Sequence, residues 1–254
     1  MGPHSRNTIF PVALIVSALF FFVTYDGTSD VRAWWGSGPK PRFIFVDLGA
    51  NRADSLQVFM QHPEAKFKYD YPRPEWASYK NAEIYLFEAN PVFNTALVQA
   101  KEHYDALGVK VNIFPSTVVD ITDGTRTFFL DTVNTVTDFW GSSIYATHPD
   151  VVLSQSKGTE LTAVNLARWL LMNTLPRDFV VVKMDVEGAE YELVPHLAEM
   201  STWSVIDYLL VEWHGAEIGG GTPEEIKYRE MKADAAGKRM VQEGVQMPPY
   251  NSAA

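Results

Sequence analysis

The sequence predicts an α/β fold: a mostly parallel sheet with helices on both faces. Three observations predict it. Four short apolar runs, at residues 43–47, 83–88, 179–185 and 205–212, are nearly continuous rather than alternating, as strands buried on both faces are. Each run ends in an acid, namely Asp47, Glu88, Asp185 and Glu212, and open α/β sheets bind ligands where such strands stop. Helix-forming stretches separate the runs, and strands alternating with helices produce parallel crossovers.

The elements follow in chain order. Residues 9–23 are apolar apart from Ser17, follow Arg6 and precede Asp26 and Asp30, the pattern of a membrane-targeting signal or short anchor. Fifteen helical residues span only about 22 Å at about 1.5 Å each, so Thr8, Thr24 and Tyr25 are needed for a marginal span. The basic residue on the amino-terminal side predicts an uncleaved signal anchor, with membrane contact through this segment and the rest of the chain in the ER or Golgi lumen. A cleaved signal peptide and a secreted product form the second reading. Residues 1–25 make up this segment and residues 26–41, containing Gly36-Ser37-Gly38-Pro39, a linker. The folded domain is expected over 42–245, with 246–254 as a tail.

Within that domain, Phe43-Ile44-Phe45-Val46-Asp47-Leu48-Gly49-Ala50-Asn51 is the opening strand and its turn, and residues 54–60 begin a crossover helix bounded by Pro63. Residues 61–82, with Tyr69, Tyr71, Pro72, Pro74 and Trp76, are too rich in proline and aromatics for a regular element. They read as an inserted surface loop, either packed on the body or forming an aromatic wall over a substrate. The second strand is 83–88, and Asn90-Pro91 starts a helix through about Tyr104. A third strand covers 109–114, and a short fourth one, 127–130, follows the Asp123-Gly124 turn. Residues 131–160 read as polar and irregular around Gly141-Ser142-Ser143. A helix over 165–173 leads to the most strongly buried-looking strand, 179–185. The next helix, 189–200, is expected to break or restart at Pro195. The strand at 205–212 runs into Trp213 and His214. Gly219-Gly220-Gly221 reads as a hinge, because no Lys-Ser/Thr follows to make a phosphate cradle. Thr222, Pro223 and Glu225 supply an N-cap, a first-position proline and a capping-box acid for a last helix to about Glu243.

With 254 residues and 46% hydrophobic composition, the chain can bury one full core. Its 21 basic and 31 acidic residues give a net charge of −10, which excludes non-specific nucleic-acid binding through a cationic surface. Zero cysteines exclude disulfides, thiolate metal sites and a cysteine nucleophile, and leave the redox compartment open.

Two groups of residues carry chemistry. Asp47, Gly49, Asn51 and Glu88 are the cofactor-binding candidates: a glycine lets the backbone approach a ligand, and an acid ending the second strand can accept both hydroxyls of a ribose. A dinucleotide fingerprint would need glycines at 49, 51 and 54, where the chain has Gly49, Asn51 and Asp54. The second group is Lys183-Met184-Asp185-Val186-Glu187-Gly188-Ala189-Glu190. Three carboxylates at the mouth of a buried strand are costly to desolvate unless they bind a ligand, hold a metal or act as base. Lys183 is either their counter-ion or a side chain that snorkels out of the sheet. Asp185, Glu187 and His214 are the catalytic candidates, and Asp185, Glu212 and His214 suit a divalent cation, Mg or Mn.

These stretches resemble the FkbM-type branch of the class I S-adenosylmethionine-dependent methyltransferases over residues 42–215. The resemblance rests on FIFVDLGAN, IYLFEANP, the DITDG turn, GSS at 141–143, VVVKMDVEGAEYELV and LLVEWH. It implies a Rossmann-like class I methyltransferase fold, S-adenosylmethionine as cofactor, and O-methylation of a hydroxyl, often on a sugar. By the same resemblance Asp47 and Gly49 line the methionine part of the cofactor and Glu88 takes the ribose hydroxyls. Ala53 stands where that family commonly has glycine, so the turn must accept a methyl group, and Asn165-Leu166-Ala167 replaces a usual Thr-Leu-Asp. Asp47 and Glu88 are 41 positions apart, which fits the inserted loop. Little chain follows the last helix, so the closing C-terminal pair of strands is expected to be missing and the sheet edge covered by a partner or the tail. The expected partner is a hydroxyl-bearing acceptor, a carbohydrate. Two alternatives share these features: a membrane-anchored glycosyltransferase with Asp185-Val186-Glu187 as its metal motif, and a non-catalytic methyltransferase-like binding protein.

Overall fold

The computed structural model describes residues 39–137 and 139–251. The apolar stretch 9–23 lies outside them. Among the described residues no helix is long and apolar enough to cross a membrane. The chain divides between Lys40 and Pro41, and the described residues of the second unit are 41–137 and 139–251.

Five parallel strands form the main sheet in the order β3-β2-β1-β7-β8. These are β1 (Phe43–Leu48), β2 (Glu83–Glu88), β3 (Lys110–Pro115), β7 (Phe179–Met184) and β8 (Tyr208–Val211). β1 lies at the centre, fully buried, and pairs with β2 on one side and β7 on the other. Its odd and even positions feed two cores. Ile44, Val46 and Leu48 face one side with α4 (Leu166–Asn173), α5 (Glu190–Glu199) and α6 (Pro223–Gln242). Phe43 and Phe45 face the other, with α1 (Asp54–Phe59) and α2 (Asn94–Ala106). Each fully buried side chain of this kind is worth about 1.5–3 kcal/mol relative to exposure. This is the Rossmann-like, helix-flanked parallel sheet that the sequence predicts.

A second sheet was not legible in the sequence. It contains β4 (Thr117–Asp120), β6 (Thr159–Asn165) and β5 (Gly124–Phe128), in the order β4-β6-β5. The predicted fourth strand at 127–130 is β5, displaced towards the Gly124 turn, and β4 precedes it, separated from β3 only by Ser116 at a φ of 50°. The stretch expected to be irregular, 131–160, holds the short helix α3 (Pro149–Leu153) and the first residues of β6. β6 is Thr-rich and largely exposed at its start, so it lacks the apolar run that marks the main sheet. Pro195 also departs from expectation: α5 continues through it without a break. The missing N–H frees one carbonyl, and the buried Leu193, Val194 and Leu197 hold the helix against the sheet.

The inserted loop 61–82 is largely packing. Tyr71 and Tyr79 join Phe43, Phe45 and Phe59 in an aromatic cluster in which Phe45 and Phe59 stack at 4.1 Å. The tail covers the outer edge of β8. Leu209 N donates to Gln246 O at 3.0 Å and Gln246 N donates to Asp207 O at 2.8 Å. Tyr250 then reaches Tyr71, hydroxyl to hydroxyl at 2.9 Å.

Candidate active site

A cavity of about 540 Å³ opens at the C-terminal ends of β1, β2, β7 and β8, with β4 as a further wall. Gly49 leaves β1 at a φ of 79°, and a Cβ there would lie 1.9 Å from the carbonyl oxygen of Asp185. Only glycine fits between these two strand ends. Asn51 and Ala53 continue the turn with φ values of 50° and 65°. Ala53 is buried at the N-cap of α1, so the turn does accept its methyl group, at the cost of a left-handed backbone.

Glu88 lines the cavity at the end of β2. Its two oxygens accept the backbone N–H groups of Asn51 at 2.7 Å and Asn90 at 2.6 Å. Burial pushes its pKa up to about 7, against the lowering effect of those amides. Asn51 also lines the cavity, and its Oδ1 is buried without a hydrogen-bond partner among the described residues.

Asp47 sits differently. It is fully buried beneath the floor, and the cavity wall is made by Gly49, Ala50 and Asn51 instead. Parallel register sets Asp47 opposite Lys183, so both side chains leave the sheet on the same face. Lys183 is a counter-ion, not a snorkelling side chain: it is 1% exposed, and its Nζ lies 3.2 Å from Asp47 and 3.3 Å from Asp185 while donating to Gly49 O at 2.9 Å. Burial would lower its pKa, but the two carboxylates hold it above its ordinary value. Asp47 is charge-compensated yet accepts no well-aligned hydrogen bond, and burial raises its pKa to about 6.

Asp185, Glu187, Glu212 and His214 all line the cavity, so the structure brings the second group together with the first. Ligand atoms of Asp185, Glu212 and His214 lie within 4.8 Å of one another. Glu190, fully buried, stands behind them: its carboxylate accepts the amides of Val186 and Gly188 at 2.9 Å each and holds His214 Nδ1 at 2.9 Å. His214 Nε2 faces Glu187 at 3.4 Å and Asp185 at 3.8 Å. Burial works against the imidazolium, but Glu187 and Glu190 outweigh it and push its pKa up to about 11.

The sequence did not reveal several wall residues. Lys66 and Phe67 come from the inserted loop, Thr117 and Val119 from the second sheet, and Phe139, Trp140 and Ile144 from the stretch expected to be irregular. The one available signal was Gly141-Ser142-Ser143. Ser142 accepts from Asn90 and from the Asp131 amide, tying that stretch to the end of β2.

No curated protein and no solved structure matches the chain. The family described as the methyltransferase FkbM domain matches residues 47–239, from the buried aspartate of β1 to the last turn of α6. The cavity lining, from Gly49 to His214, and the strand-end acids Asp47, Glu88, Asp185 and Glu212 all fall within those bounds, and the chain belongs to the FkbM methyltransferase domain family.

Proposed function

We propose that the protein is an S-adenosylmethionine-dependent O-methyltransferase acting on a hydroxyl of a carbohydrate. The observation that carries this reading is that Glu88 and Asn51 line the same cavity as the carboxylates of Asp185 and Glu187. One end offers acceptors for a ribose and an amide-sized group; the other offers acceptors for a hydroxyl proton. The volume, about 540 Å³, suits a ligand of nucleoside size. S-adenosylmethionine bound there supplies an activated methyl group that is transferred to oxygen with release of one proton.

The chain's own residues divide the remaining work. Glu88 takes ribose hydroxyls, Gly49 lets the backbone approach the ligand, and the Lys183 charge fixes the strand ends. With Glu187 and Glu190 pushing its pKa up, His214 favours its charged form and faces Glu187 as a donor through Nε2. Receipt of the hydroxyl proton falls to Glu187 or Asp185, both on the cavity wall. Phe67 and Trp140 supply apolar faces for a sugar ring. Calorimetric titration of the full chain with S-adenosylmethionine tests the reading, and absence of binding overturns it.

A divalent cation is the alternative partner for this corner: with Nδ1 of His214 held by Glu190, it would take Nε2 in place of the Glu187 contact. Two carboxylates and an imidazole suit Mg²⁺ or Mn²⁺, and Glu190 on Nδ1 of His214 is the outer partner that a metal-bound imidazole requires. The family match is to methyltransferases, which takes away the support for a glycosyltransferase. Residues 9–23 support placement in the endomembrane lumen; protease protection of the full chain in sealed microsomes tests that, and digestion without detergent overturns it.

A further inference from the structure

His148 is a buried imidazole, 6% exposed, that the reaction above does not use. It caps α3, where its Nδ1 accepts the Asp150 amide at 3.2 Å. An accepting Nδ1 places the proton of the neutral ring on Nε2. That nitrogen lies 3.3 Å from Oε2 of Glu187, the oxygen that also faces His214 Nε2 at 3.4 Å. Two imidazoles therefore hold Oε2, and Oε1 has no partner among the described residues. The backbone of Glu187 is held as well. Its φ is 51°, left-handed for a residue with a long side chain, and its carbonyl accepts the Ser143 hydroxyl at 2.7 Å. Such strain persists only where the surroundings over-determine it.

We propose that His148 is a positioning residue for methyl transfer: with Ser143 it clamps Glu187 so that Oε1 is the oxygen presented to the acceptor hydroxyl. The inference rests on the hydroxyl-acceptor reading above. It gives the 141–148 segment a task. The segment grips the carboxylate from one side while His214 grips it from the other, and the side chain loses the freedom to swing away from the reacting oxygen.

The cap and the clamp use different ring nitrogens, so they can be separated. In His148→Asn an amide stands near the Nδ1 position and keeps the cap but cannot reach Glu187. In His148→Gln an N–H stands near the Nε2 position and reaches Glu187 without capping. Transfer of tritiated methyl from S-adenosylmethionine to a panel of methyl glycosides is measured for the full chain and the Ala, Asn and Gln variants. The expected result is a kcat roughly tenfold or more lower in the Ala and Asn variants, substantial recovery in Gln, and little change in the KM for S-adenosylmethionine. Full activity in Asn with loss in Gln makes His148 a cap only and overturns the proposal. If the wild-type chain methylates no glycoside, the acceptor reading fails separately, and nitrogen-15 NMR decides the clamp. An Nε2–H tautomer of His148 whose proton resonance moves in Glu187→Gln supports it, and an Nδ1–H tautomer overturns it.

Discussion

Asp47 and Lys183 occupy the same register position on adjacent parallel strands, and their charges meet 3.2 Å apart where neither side chain is more than 1% exposed. A buried pair of this kind stabilises little against an apolar replacement, but losing one partner strands the other charge. Lys183→Met is expected to destabilise the fold by about 3–5 kcal/mol. Asp47→Asn combined with Lys183→Met is expected to recover part of that loss. Urea unfolding of the single and double variants measures the coupling, and additive losses would show the pair to be independent.

Gly49 is the tightest point of the site. Gly49→Ala places a methyl group 1.9 Å from the Asp185 carbonyl on a backbone that disfavours it. A loss of more than about 2 kcal/mol is expected, together with loss of S-adenosylhomocysteine binding even where the variant folds. Thermal melting with and without that ligand reports both.

Glu88 is expected to make ligand binding pH-dependent. Its ordinary value of 4.5 is raised to about 7 by burial, and the ionised form is the better acceptor for ribose hydroxyls. S-adenosylhomocysteine affinity is therefore expected to rise roughly tenfold between about pH 6 and pH 8, and the Glu88→Gln variant to lose that slope. Stability of the free protein runs the other way. The folded state keeps this proton up to about 7 while the unfolded chain releases it near 4.5, so the contribution of Glu88 to stability falls as pH rises through that window. Calorimetry across the range checks the first, and denaturant titration the second.

The cation proposal has its own signature. Because Glu190 aligns His214 at 2.9 Å, Glu190→Gln is expected to weaken Mn²⁺ binding by about 10–100-fold without removing a direct ligand. Electron paramagnetic resonance of free Mn²⁺ follows this directly. Unchanged affinity would mean that the ion, if bound, does not use His214. Chelation is expected to reduce methyl transfer without unfolding the chain, which circular dichroism checks.

The main sheet could be read from the sequence because β1, β2, β7 and β8 are largely buried on both faces and so are written as apolar runs. Asp47, Glu88, Asp185 and Glu212 stood out for the same reason, each being an acid where such a run stops. Of the second sheet only part of β5 could be read. β6 has the composition of a half-exposed strand, and β4 is four residues long. His148 was hidden for a related reason: its partner Glu187 lies 39 positions away, and no local pattern marks a contact made only in three dimensions. Asp47 shows a different limit. A strand-end acid and a strand-floor acid look alike in sequence, and only the register opposite Lys183 separates them.

The hydroxyl contact between Tyr71 and Tyr250 joins residues 179 positions apart, linking the inserted loop to the tail. Long-range closures of this kind form late, because the loop entropy must be overcome before the contact contributes. Until the tail arrives, β8 presents an unpaired rim to which another chain can add a strand. A chain in which Tyr250 has not yet docked is therefore expected to be prone to misassembly at this edge. Expression at low temperature, or with a chaperone that shields strand edges, is expected to raise the soluble yield for this reason.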